Sequence, residues 1–157
     1  MAIEIERKFL TASDDWLAEA DEGVVMRQGY IHNSQGVTVR ARIAGDAAWL
    51  TVKGPTEGIA RAEFEYSIPV GDAQRMLDSM CDGPLIEKRR YRIARAPHVW
   101  EIDVFAGENE GLTLAEIELA DAEEPYDRPQ WLGLEVSDDE RYFNAYLVNH
   151  PFRSWRA

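Results

Sequence analysis

Met1-Ala2-Ile3-Glu4-Ile5-Glu6-Arg7-Lys8-Phe9-Leu10 opens the chain, and its alternation decides how the rest is read. Ile3, Ile5 and Phe9 favour an extended strand, in which successive side chains point to opposite faces. Glu4, Glu6 and Lys8 therefore share one face, spaced roughly 6.5 to 7 Å apart. Two carboxylates so close repel unless a cation sits between them, and hard divalent ions such as Mg²⁺ take oxygen ligands of this kind.

The same alternation returns along the chain. Val37-Thr38-Val39-Arg40-Ala41-Arg42-Ile43 sets Arg40 and Arg42 on one face, and Ala48-Trp49-Leu50-Thr51-Val52-Lys53 sets Thr51 with Lys53 before the Gly54-Pro55 stop. Between residues 59 and 68, Arg61, Glu63 and Glu65 oppose Ala62, Phe64 and Tyr66. A long strand over 85–95 groups Lys88, Arg90 and Arg92. Glu101 pairs with Asp103 on the strand 100–105, and Glu116 with Glu118 on 112–119. With a further strand over 23–33, carrying Arg27 and Tyr30, about eight strands are expected. Three short helices are expected at Trp16-Leu17, at Ala73 to Met80, and over 139–149.

Across these strands seven acids (Glu4, Glu6, Glu63, Glu65, Asp103, Glu116, Glu118) face seven bases (Lys8, Arg40, Arg42, Lys53, Arg61, Lys88, Arg90). The rest of the chain then holds 22 acidic residues against 10 basic ones, so the net charge of −12 belongs elsewhere on the surface. An open sheet decorated by ion pairs would gain little from each pair and would alternate sign along each strand. Here like charges are grouped, which is mildly unfavourable by itself and points to shared ligands. The pattern fits a closed barrel with one cation-gathering and one anion-gathering wall, its apolar outer face covered by the helices and the Trp-containing tail. The fold class is α+β, mainly β: an eight-stranded antiparallel β-barrel, or tunnel, in a single domain over residues 1–157.

A hydrophobic share of 45% over 157 residues is enough for one core and argues against disorder. The acidic balance argues against nucleic acid or an anionic membrane as partner. The N-terminus shows no basic leader with an apolar run and no apolar stretch long enough to span a bilayer, so cytoplasmic residence is expected. Cys81, the one cysteine, reads as a small core residue, and His32, His98 and His150 as surface or turn residues.

The E-x-E-x-K opening, the R-x-R strand, Lys53 before Gly-Pro, the R-x-E-x-E strand, Glu87-Lys88-Arg89-Arg90-Tyr91, Asp103 and the E-x-E strand, in this order, resemble the CYTH superfamily of triphosphate tunnel metalloenzymes. The resemblance runs to Arg141-Tyr142 and Asn144. It implies an eight-stranded tunnel that hydrolyses or rearranges triphosphates with Mg²⁺ or Mn²⁺, with two ions expected. It also implies that Glu4, Glu6, Glu116 and Glu118 are metal ligands with Asp103 among them, while Lys8, Arg40, Arg42, Lys53, Lys88 and Arg90, with Arg61 on the same wall, hold phosphate oxygens.

Glu4, Glu6, Lys8 and Tyr30 are the candidate catalytic residues. Tyr30 either reaches into the tunnel or lends its ring to the wall; Glu63 and Glu65 are expected to pair with tunnel cations. Phosphoryl transfer to water needs positioning and charge compensation and no protein nucleophile, and the sequence offers none.

Thr38 stands where the animal thiamine triphosphatases of this family have an aromatic, and Phe143 where related short members often have lysine. The similarity to short bacterial members implies hydrolysis of inorganic tripolyphosphate. Nucleoside triphosphate hydrolysis or cyclisation, as by class IV adenylate cyclases, is the alternative enzyme, and a non-catalytic polyphosphate- or nucleotide-binding module the alternative of another class. The oligomeric state is left open, a homodimer among the options.

Overall fold

The computed structural model describes residues 2–155. Nine strands form: β1 (Ile3–Thr11), β2 (Val24–Ser34), β3 (Val37–Ala44), β4 (Ala47–Lys53), β5 (Ala60–Ile68), β6 (Asp82–Arg95), β7 (His98–Phe105), β8 (Thr113–Glu118) and β9 (Leu132–Glu135). Among the described residues there are two α-helices, α1 (Val70–Ser79) and α2 (Asn144–Leu147), beside short 3-10 turns.

The strands run β5-β4-β3-β2-β6-β7-β8-β1, all antiparallel, and β1 returns to β5 through Ile3 opposite Ala62 and Ile5 opposite Ala60. That last pairing closes an eight-stranded barrel, which leaves no long free edge. β9 is additional: it lies along β1 beyond the point where β5 diverges, with Phe9 opposite Glu135 and Thr11 opposite Leu132.

Because most inward positions of the strands are polar or charged, two of the three apolar clusters sit outside the barrel wall. Phe9, Ile93, Trp100, Ile102, Ala115 and Ile117 point outward from β1, β6, β7 and β8 and are covered by Trp16, Leu119, Trp131 and Leu132. Burial of each large aliphatic or phenyl side chain here stabilises by about 1.5–3 kcal/mol before entropy is set against it. α1 lays Ala73 and Leu77 over Ala41, Ile43 and Ala48 of β3 and β4, with Cys81 packed at the edge of this cluster as expected. A third cluster, with Tyr30, Phe105, Leu114, Val136 and Leu147, takes inward-facing strand positions, since Tyr30 pairs with Arg40, Phe105 with Lys88 and Leu114 with Asp103, and is flanked by Phe152 and Trp155 of the tail. The cover is incomplete, for Phe64 and Tyr66 on the outer side of β5 remain 47% and 58% exposed. Gly29 is required by this packing: a Cβ there would stand 2.7 Å from both Cys81 Sγ and Leu85 Cδ2.

The C-terminal third departs from expectation. In place of one helix over 139–149 there is a 3-10 turn at Glu140–Tyr142, an extended Phe143 (φ −75°, ψ 137°) and the single-turn α2. The cause is tertiary: the Tyr142 carbonyl accepts a hydrogen bond from Lys8 Nζ at 3.2 Å, while the Tyr146 N–H that a continuous helix would offer it donates to Phe143 O instead. The expected N-terminal helix is likewise only a 3-10 turn, Asp15–Ala18. No helix of the described residues is long and apolar enough to cross a membrane.

Candidate active site

Strand register brings the charged positions together. On the β1–β8 pair, Glu6 lies opposite Glu118 and Lys8 opposite Glu116; on β7–β8, Glu101 lies opposite Glu116. β6 and β7 set Arg90 against Asp103 and Arg92 against Glu101. β3 sets Arg40 between Tyr30 of β2 and Thr51 of β4, and Arg42 between Gln28 and Trp49. Lys53 faces Glu63 across β4–β5, and Glu4 faces Arg61 across the closing β1–β5 pair.

The enclosed cavity measures about 540 Å³. Of the 14 charged positions expected to face inward, all but Asp103 line it, and Tyr30, on the same face as its cross-strand partner Arg40, lines it too while packing against Phe105 and Leu114. Tyr30 thus faces the tunnel, as the first of its two expected alternatives has it. Arg61 sits among the turns, its guanidinium donating to Gly54 O and Gly36 O, and Glu118 and Glu65 are exposed at the rim. None of the three histidines lines the cavity.

Asp103 shares the inward face with its cross-strand partner Arg90 but is covered and does not reach the cavity. Fully buried, it receives Arg90 Nε and Nη2 at 2.7 and 2.9 Å and Lys88 Nζ at 2.7 Å. Against the cost of burial, Arg90 and Lys88 hold its carboxyl far below the usual carboxylate range. Its oxygens are committed to two cations, so it stands as their anchor, whereas the sequence suggested a position among the metal ligands. With Asp103 already bridged by Arg90, burial pushes Lys88 down to about 7, Arg90 and Arg42 adding to the effect. Burial and the neighbouring Arg40 and Arg90 also lower Arg42. Arg40 has only a 3.4 Å hydrogen bond to Thr51 and a 3.8 Å approach to Glu65, and its Nε is buried without a partner. This wall carries more cation than the protein compensates.

The opposite wall is short of cations. Glu4 is lowered despite burial because Lys53 Nζ lies 2.8 Å away, and the same ammonium reaches Glu63 at 3.4 Å. Despite burial, Lys8, 3.5 Å from Glu116 and aided by Arg90, holds that carboxyl down at about 2. The Glu6 carboxyl has no hydrogen-bond or ion-pair partner among the described residues, and burial with the charges of Glu116 and Glu4 pushes it up to about 8. Burial raises Glu118 as well, with Glu4 and Glu101 adding to it, and Glu63, with Glu4 beside it. Among the described residues no three acidic, imidazole or thiol groups close on a common point. Glu4 and Glu116 are held by lysines, while Glu6 is free to take a cation.

The family follows from comparison. A CYTH domain model matches residues 2–145. This chain belongs to the CYTH domain family. It is 46% identical over 156 residues to an inorganic triphosphatase of Acetivibrio thermocellus, covering 99% of both chains. It is 37% identical over 152 residues to an inorganic triphosphatase of Nitrosomonas europaea, covering 92% of this chain and 96% of the relative. A crystal structure of an inorganic triphosphatase superposes with a TM-score of 0.63 at 32% identity, over 92% of this CYTH chain and 96% of the other.

Several residues at the cavity of this CYTH barrel are not among the candidate site residues of the sequence. Gln28 follows the inward parity of its strand and carries no charge to draw notice. Thr51, Arg92 and Glu101 share the faces of Lys53, Arg90 and Asp103, as their alternation indicates, and line the cavity. Phe143 and Asn144 reach the cavity only through the fold of the C-terminal segment, with the Phe143 ring centroid 5.3 Å from Lys8 Nζ.

Proposed function

We propose that this protein hydrolyses inorganic tripolyphosphate to pyrophosphate and phosphate, with residues 1–157 acting as one catalytic unit. The observation that carries the reading is the segregation of charge in one enclosed cavity of about 540 Å³, under-compensated cations on one wall and an unpartnered Glu6 among carboxylates on the other. The two inorganic triphosphatase relatives, matched over at least 92% of this chain, support the same substrate.

In this reading Arg40 and Arg42 present guanidinium forks and Lys8, Lys53 and Lys88 ammonium charges to the phosphate oxygens, with Arg90 held in line by Asp103 and Arg61 at the turns beside the cavity. Glu4, Glu6, Glu116 and Glu118 form the all-oxygen set that would hold divalent metal, Mg²⁺ or Mn²⁺, in two ions. Glu6 fits that role best, as an uncompensated carboxyl that a cation would hold ionised. Bound metal would supply a water of lowered pKa and neutralise charge on the leaving oxygen. The protein holds the terminal phosphoryl in line: a water oxygen bonds to phosphorus, the bridging P–O bond breaks, pyrophosphate leaves with the electron pair, and the proton of the water passes to solvent or to the leaving pyrophosphate. Tyr30, beside Arg40, borders the reacting phosphate, and Lys8 couples the two walls through Glu116. The substrate is a soluble anion, the setting cytoplasmic, and neither nucleic acid nor membrane is a partner.

Phosphate release from tripolyphosphate, ATP and thiamine triphosphate, each with Mg²⁺, Mn²⁺ or excess chelator, tests this. Tripolyphosphate is expected to be hydrolysed fastest, and chelator to abolish release. Release that survives chelation, or tight binding of tripolyphosphate without turnover, would overturn the reading.

A further inference from the structure

Two neutral amides stand between the strongest cations of the anion-gripping wall. Gln28, on β2, is fully buried. Its Oε1 accepts from Arg42 Nε at 2.8 Å, and its Nε2 donates to Asn144 Oδ1 at 3.0 Å. The same Asn144 oxygen accepts from Lys88 Nζ at 2.9 Å. The orientation of both amides follows from chemistry alone. The Arg42 guanidinium only donates, so the Gln28 oxygen must face it; the Gln28 NH₂ is left to donate to Asn144, whose oxygen must therefore face Gln28.

This arrangement leaves specific groups unspent. Arg42 uses only Nε within the protein, and its two terminal nitrogens have no partner among the described residues. Lys88 divides two of its N–H bonds between Asp103 and Asn144, keeping the third. Asn144 borders the cavity, and its Nδ2 has no protein acceptor among the described residues. A hydrogen-bonded network in a site of low dielectric fixes its members more firmly than isolated pairs do.

We propose that Gln28 and Asn144 are positioning residues: an amide relay that aims Arg42 and Lys88 at the same polyanion, while Asn144 Nδ2 donates directly to one of its oxygens. The single-turn α2 thereby becomes part of the substrate grip. The inference rests on the tripolyphosphate reading above.

Calorimetric titration of inorganic tripolyphosphate in excess chelator measures the grip without turnover. The panel is the wild type, Gln28→Leu, Asn144→Ala and the double variant, each checked by circular dichroism. Each single substitution is expected to weaken binding about tenfold or more, as for a hydrogen bond to a charged group. The double variant is expected to be weaker than the worse single by no more than about threefold, the non-additivity of residues acting as one unit. With metal present, KM should rise further than kcat falls. A purely structural role would lower the unfolding temperature without that split.

Single variants that bind like the wild type, or a double loss equal to the product of the single losses, overturn the relay. Should Gln28→Leu fail to fold, wild-type affinity in Asn144→Ala, a partly exposed position, overturns it alone. A wild type that neither binds nor hydrolyses tripolyphosphate overturns the substrate assignment, and the relay with it.

Discussion

Lys88 Nζ lies 2.7 Å from Asp103 Oδ2, with 1% and 0% of the two side chains exposed. The same carboxylate takes both prongs of Arg90. One buried anion thus fixes two cations from the neighbouring strand, an arrangement that costs stability when one member is lost because the others stay buried and unpaired.

Asp103→Ala should therefore destabilise the protein by about 3–5 kcal/mol in chelator, read as a lower urea midpoint with unchanged slope. A direct metal ligand would instead leave metal-free stability nearly intact. The Asp103 carboxyl is depressed in the folded state, so its contribution is present above the unfolded carboxyl pKa and lost only as pH falls through the folded value, in strong acid. Unchanged stability of the variant at pH 7 would refute the anchoring role.

Glu6→Gln should lower tripolyphosphate turnover by at least about 100-fold while making the metal-free protein more stable. Glu6, pushed up to about 8, keeps its proton after the unfolded chain has released it, so wild-type stability falls as pH rises from the ordinary carboxyl range to about 8. The variant lacks this slope, and the gap between the two thermal unfolding curves should widen up to about pH 8 and then level off. Added Mg²⁺ should stabilise the wild type and not the variant. A variant less stable than wild type across that window would contradict the account of Glu6.

Arg40→Ala should weaken tripolyphosphate binding about tenfold or more, with kcat changed less. Arg40 is under-partnered and adds to the positive charge that depresses Arg42, so the fold should lose little. Kinetics at saturating substrate, combined with thermal unfolding, separate the two effects. Equal KM in variant and wild type would place the phosphates elsewhere.

Lys88, pushed down to about 7, predicts that metal-free affinity for tripolyphosphate declines as pH rises through 7, and that binding near neutrality takes up a proton. In the free protein the same group has the opposite linkage: the unfolded chain holds the proton longer, so this contribution to stability rises with pH between about 7 and the ordinary lysine value. Lys88→Arg, permanently charged, should remove the part of the pH dependence of binding that is centred near 7. Titration in two buffers of different ionisation enthalpy measures the proton uptake, and identical heats in both would rule it out.

The path from residues to site was legible where the controlling rule was local. Parity along a strand needs only neighbouring residues, so Glu4, Glu6, Arg40, Arg42, Glu116 and Glu118 could each be given a face from the sequence. Grouped like charges then implied enclosure, and the closed barrel follows. β9 was missed because Leu132–Glu135 is stabilised by the edge of β1, not by its own pattern. The break at Phe143 was missed because Lys8, more than a hundred residues away, takes the Tyr142 carbonyl.

By itself the sequence determined which side chains face inward, since alternation is dictated by backbone geometry one residue at a time. Only the tertiary structure decided which of them meet. Asp103 has the parity of a lining residue, yet, paired with Arg90 and Lys88, it is covered and does not reach the cavity. Asn144 has no parity at all, yet the turn before α2 delivers it to Gln28 and Lys88. Partnership depends on distances between strands and segments remote in sequence, and those are fixed only when the barrel closes.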